Sequence, residues 1–182
     1  MSERDPNWVD AQGIGDVNSN EKGSGARFNS GKPAMELLPI KDVAILLGGH
    51  WLKYSGQNTL PEELEALGLL GQFQMTGDDK FLFTAMDVLG PWTETLVECA
   101  QVFDYGSRKY ASWNWAKGMK WSVALACAVR HLLAMHRGEW IDPIEEKGSG
   151  LPHRGHVMCN LFMLTTYVRN FPEGNDLPIG IL

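Results

Sequence analysis

Ser122-Val-Ala-Leu-Ala-Cys-Ala-Val-Arg-His-Leu-Leu-Ala-Met-His-Arg137 is the stretch that decides how this chain folds. From Val123 to Val129 it is apolar almost all round, which marks a central helix rather than one lying on a surface. Gly138 follows as a terminator, and Arg137 falls in the last turn, where a cation complements the helix dipole. A helix of this kind needs a shell of others, and two flank it. Pro91 opens one that runs to about Tyr105, with Trp92, Leu96, Val97, Ala100 and Phe103 at helical spacing and Glu94 and Glu98 on one face; Gly106 ends or kinks it. The other begins near Pro152 and reaches about Asn170, with Pro172 just beyond it and Val157, Leu161, Leu164 and Val168 as its apolar contact. Strand-like alternation is nearly absent and no internal repeat is evident. The expectation is an all-α fold.

Further out the pattern weakens. Residues 1–24, rich in Gly, Asn, Ser and charge, read as a flexible N-terminal arm that is ordered, if at all, by a partner subunit. Residues 25–172 read as a single helical catalytic domain, within which a short helix could begin between Pro39 and Leu47. Residues 48–88 read as an insertion between helices, although Pro61-Glu-Glu-Leu-Glu places Pro and acids where a first helical turn wants them. Residues 173–182 form a C-terminal tail.

The 182 residues carry 44% apolar and 21% charged side chains, enough for one packed domain. A net charge of −6 argues against a general grip on a nucleic acid polymer, which shows as a basic stripe. It leaves room for a nucleotide, because local Arg and Lys residues or metal ions can offset phosphate charge. Cys99, Cys127 and Cys159 are far apart in sequence and without CxxC spacing, as befits buried free thiols in a reducing cytoplasm. No apolar run approaches the ~20 residues of a membrane span, and the opening residues have no apolar signal core. A cytoplasmic protein is expected, in the host cytoplasm if the gene is a phage's.

The chemistry gathers between Arg130 and Asn160. Arg130 and His131 sit in an otherwise apolar helix, and a charge there requires a partner. A phosphate is one candidate; a carboxylate such as Glu94 or Glu98 is another. Glu139 and Asp142 follow at a spacing of three, and His153, His156 and Asn160 form one polar stripe on the next helix. Imidazoles with carboxylates suit Mn, Zn, Fe or Co better than an all-oxygen Mg site. Structural capping and hydrogen bonding by the same residues is the plainer alternative.

A second group, Lys109, Tyr110, Asn114 and Trp115, offers an ammonium for phosphate, an amide for a base edge and flat rings for stacking. Alternatively Trp113, Trp115 and Trp121 pack as a core corner between helices. Arg27, Asn29 and Lys32 are a third polar group. Ser30-Gly31-Lys32 lacks the full GxxxxGK[ST] pattern and no strand precedes it, so a P-loop is excluded.

The ordered set Arg27-Phe-Asn-Ser-Gly-Lys-Pro33, Lys109-Tyr110, Asn114-Trp115, Gly118, Trp121, Arg130-His131, Gly138-Glu139, Asp142, His153, His156 and Asn160 resembles a phage and bacterial family labelled dATP/dGTP diphosphohydrolase. That family looks related to the MazG-like all-α nucleotide pyrophosphohydrolases. The resemblance covers roughly residues 25–40 and 91–170. It implies hydrolysis of purine (deoxy)nucleoside triphosphates to monophosphate and pyrophosphate, with a divalent metal ion (Mn, Mg or another transition metal) and a homo-oligomeric assembly. MazG-like enzymes carry EExxE on one helix and ExxD on its partner; here Arg130-His131 and His153-Arg-Gly-His156 stand in those places. The metal-ligand pool is therefore His131, His153, His156, Glu139 and Asp142, with one of the two acids as an alternative general base. Arg130 and Lys109 are expected on phosphate oxygens. Asn114, Trp115 and Tyr110, with Arg27, Lys32 and Asn160, are expected around the rest of the substrate. The rival is a nucleotide-binding protein without turnover, such as a phage sponge for a signalling nucleotide. A His/Asp phosphohydrolase is disfavoured because no His-Asp pair is adjacent.

Overall fold

The buried stretch forms the central helix of a six-helix bundle in the computed structural model, which describes residues 15, 16, 18–27, 32–90, 93–144 and 148–182. In chain order the helices are α1 (Ile40–Tyr54), α2 (Glu62–Thr76), α3 (Lys80–Val88), α4 (Thr93–Tyr110), α5 (Trp121–His136) and α6 (His153–Asn170). Among the described residues there is no strand; Ile141 and Pro152 form an isolated antiparallel bridge. No described helix is long and apolar enough to cross a membrane.

α5 buries Val123 through Val129 without a break. α6 lies against both α5 and α4. The contact with α4 is close because Gly155 has no side chain: a Cβ there would come within 2.9 Å of the Glu98 backbone. The amino end of α5 has no cap from its own flank. Asp176, beyond α6, supplies it by accepting from the Ser122 amide (2.9 Å) and the Ser122 hydroxyl (2.7 Å).

One expectation needs correction. α4 does not stop at Gly106 but continues to Tyr110, so Lys109 and Tyr110 stand in its last turn rather than in a loop. A mid-helix glycine costs only about 1 kcal/mol, and the Asp104–Arg108 ion pair spans the spot. Within residues 48–88, the end of α1 and the whole of α2 and α3 are helical, and α2 and α3 reach the core. Leu64, Leu67, Leu70 and Phe73 of α2 and Leu82 and Ala85 of α3 are buried. α2 carries Glu62, Glu63 and Glu65 in its first turn and ends at Gly77, whose φ of 68° is the left-handed cap that glycine allows.

Residues 1–14 and 17 of the expected arm, and Pro91 and Trp92, lie outside the described residues. The rest of the arm is tied to its own chain. Gly23 N–H donates to the Lys117 carbonyl (2.6 Å), Lys117 Nζ donates to the Ser19 carbonyl (2.7 Å), and Lys22 pairs with Glu173 (2.6 Å).

Candidate active site

The α5–α6 hairpin brings the histidine stripe of one helix against His131 of the other. The connection is drawn in by backbone hydrogen bonds: Asp142 N–H to the Leu151 carbonyl (3.0 Å), Gly150 N–H to the Asp142 carbonyl (2.8 Å) and His153 N–H to the Trp140 carbonyl (2.9 Å). As a result His131 Nδ1 and His153 Nδ1 are 2.7 Å apart. The His131 and His156 rings stack with centroids at 4.4 Å and planes 16° apart. Two ring nitrogens so close share one proton or face one cation. Ligand atoms of His131, Asp142 and His153 all lie within 4.8 Å of one another, a cluster that could hold a metal ion.

The other expected ligands take different places. Glu139 Oε1 accepts from His153 Nε2 at 2.9 Å, so this carboxylate stands behind His153. That arrangement, carboxylate to imidazole to ion, fixes the tautomer and aims Nδ1 at the cluster. His156 Nε2 meets Ser149 Oγ at 2.6 Å and lies 3.7 Å from Asp142 Oδ2, which also accepts from the Ser149 amide at 2.7 Å. Burial, with His156 and His153 beside it, holds the His131 pKa well below the usual histidine value. Burial also pushes His156 down to about 4, against the upward pull of Asp142. Both rings are therefore neutral at pH 7, the form that ligates metals. The donor set fits a divalent transition metal.

These groups line a cavity of about 830 Å3. Arg27, Lys32, Lys109 and Arg130 line it too, together with Phe103, Tyr110, Trp113 and Trp115. Burial and the neighbouring charges of Lys32 and Arg27 lower the Lys109 pKa to about 8. Arg130 does not pair with Glu94 or Glu98: it donates to the Pro33 carbonyl (3.0 Å) and to Cys127 Sγ (2.9 Å). Glu98 instead holds Arg154, at 3.1 and 3.2 Å.

Two expected substrate contacts are engaged with the protein itself. Asn114 is buried, and its amide bonds both backbone groups of Ala26, accepting at 3.2 Å and donating at 2.9 Å. Asn160 is fully buried; it accepts from Arg27 Nη2 (2.9 Å) and donates to the His156 carbonyl (2.7 Å). Both amides thus hold the segment that presents Arg27 to the cavity. Trp115 is half-buried, packed on Phe103 at 5.1 Å, and its carbonyl accepts from the Tyr167 hydroxyl at 2.9 Å. Asn29 lies outside the described residues. Ser149 escaped the sequence reading; its signal is that it is the one hydroxyl between Asp142 and His153.

No curated protein and no solved structure matches the chain. A family model described as dATP/dGTP diphosphohydrolase, N-terminal, matches residues 75–177, more than half of the chain and the whole hairpin with its histidines. The chain belongs to the dATP/dGTP diphosphohydrolase N-terminal family.

Proposed function

We propose that this cavity hydrolyses purine deoxynucleoside triphosphates to the monophosphate and pyrophosphate, using a divalent ion held by His131, His153 and Asp142. The observation that carries the reading is the convergence of those three side chains in a cavity also lined by Arg27, Lys32, Lys109 and Arg130. When bound, the ion offsets phosphate charge and makes a water more acidic. The protein's own groups do the rest. Glu139 keeps the Nε2 proton on His153 and so keeps Nδ1 free as a donor of electrons. Neutral His156 accepts from the Ser149 hydroxyl, which steadies Asp142 through the adjoining Ser149 amide. The four cationic side chains oppose the triphosphate and stabilise charge as it builds on the leaving pyrophosphate. Mn is the ion this donor set favours over Mg.

Incubation with each dNTP and NTP, with Mn or Mg, followed by chromatography of the products, tests the reading. Monophosphate plus pyrophosphate from purine deoxynucleotides supports it. Tight binding with unchanged nucleotide would identify a sponge instead. His156→Ala should abolish turnover and weaken Mn binding while the helical circular dichroism stays intact.

A further inference from the structure

The turn between α4 and α5 holds a large aromatic side chain that the fold leaves mostly outside the core. Trp113 has φ 61°, a left-handed backbone conformation that a bulky side chain adopts only when its surroundings impose it. Its neighbour Ala111 has φ 93°. The turn is pinned on both sides of the strained position: before it Ala111 N–H donates to the Ser107 carbonyl at 3.0 Å, and after it the buried Asn114 is bonded to Ala26. The outcome is an indole that is 72% exposed and still lines the cavity. Burial would be the ordinary use of so large an apolar ring, and here the backbone is strained to keep it out.

The other aromatic walls are already engaged. Phe103 and Trp115 pack on each other, and the Lys109 ammonium lies 5.4 Å from the centroid of the Tyr110 ring. Trp113 touches Trp115 only at a tilt, with centroids 6.1 Å apart and planes at 43°. An exposed aromatic face beside a cationic cavity is what a nucleobase stacks on. Resting on the function proposed above, we infer that Trp113 supplies the face on which the purine of the substrate stacks, with Trp115 as its backing. Stacking tolerates either purine, so adenine and guanine would both be held by this residue, and discrimination between them would lie elsewhere.

The test compares wild type with Trp113→Ala, Trp113→Phe and Trp113→Gly. Steady-state kinetics use dGTP and dATP with Mn; calorimetry uses dGMP and, separately, inorganic pyrophosphate. Trp113→Ala and Trp113→Gly should raise KM and weaken dGMP binding roughly tenfold or more, with the loss carried by KM rather than kcat. Pyrophosphate affinity should not move, because the cationic wall is untouched. Trp113→Phe should restore most of the dGMP affinity. Trp113→Gly should melt at or above the wild-type temperature, since glycine relieves the positive φ. Unchanged dGMP affinity in Trp113→Ala, or equal losses for dGMP and pyrophosphate, overturns the assignment while turnover by wild type leaves the proposed function standing. A wild type that neither binds nor cleaves purine nucleotides overturns both.

Discussion

Lys109 ties the grip on phosphate to pH through a single titration. With its free-enzyme pKa at about 8, the side chain is cationic below that value and neutral above it. As pH rises through about 8 the cavity loses one positive charge, and kcat/KM for a nucleotide substrate should fall with it. That profile reports groups of the free enzyme. Lys109→Arg keeps its charge throughout and should flatten this limb; an unchanged alkaline limb in that variant would assign the titration to another group. Glu139 offers a second residue-level test. It stands 2.9 Å from His153 Nε2 and outside the ligand cluster, so Glu139→Gln should weaken Mn affinity by about ten- to a hundredfold, the usual effect of an orienting partner. Loss of all measurable Mn binding would make Glu139 a direct ligand. Helical spacing put His153 and His156 on one face, and His131 stood out as a polar residue in an otherwise apolar helix. The work of Asn114 and Asn160 was not, because an amide takes whichever partner the fold delivers: here the Ala26 backbone, 88 residues away, and Arg27, 133 residues away.

Among the elements, the α4–α6 contact sets how the histidine stripe faces α5. Gly155→Ala would push a methyl within 2.9 Å of the Glu98 backbone, which cannot swing aside as a side-chain tip could. Overpacking of this kind costs about 1–3 kcal/mol, and the displaced α6 carries His153 and His156 with it. The expected result is a lower Tm together with weaker Mn binding; a stable variant with native Mn affinity would mean that α4 adjusts freely. The periodicities of α4, α5 and α6 announced these helices to within a few residues. α2 was harder to see because its buried residues are spread round the helix and meet more than one neighbour, α1, α3 and α5, and α3 because it is only nine residues long. Gly106 misled because glycine's helix cost is small beside the packing of an eighteen-residue helix.

For the molecule as a whole, α1 and the turn before it present Leu37, Ile45 and Leu46 to solvent, each more than half exposed. If the chain forms the expected homo-oligomer, exposed apolar side chains of this kind are candidates for cover by a second copy. Light scattering coupled to gel filtration should give a mass above the 20.3 kDa of one chain. The pair Ile45→Asp and Leu46→Lys should return the mass to that of one chain. A native chain that runs as a monomer at every concentration would remove the oligomer from the account.

Asp176 carries a consequence of another kind. It caps the first turn of α5, the helix that bears Arg130 and His131, from a position beyond α6. On the ribosome, α5 emerges long before its cap does. Until translation has passed α6, the first turn of the helix at the centre of the bundle lacks the partner that Asp176 gives Ser122, and the cluster of histidines sets only when the chain has doubled back on itself.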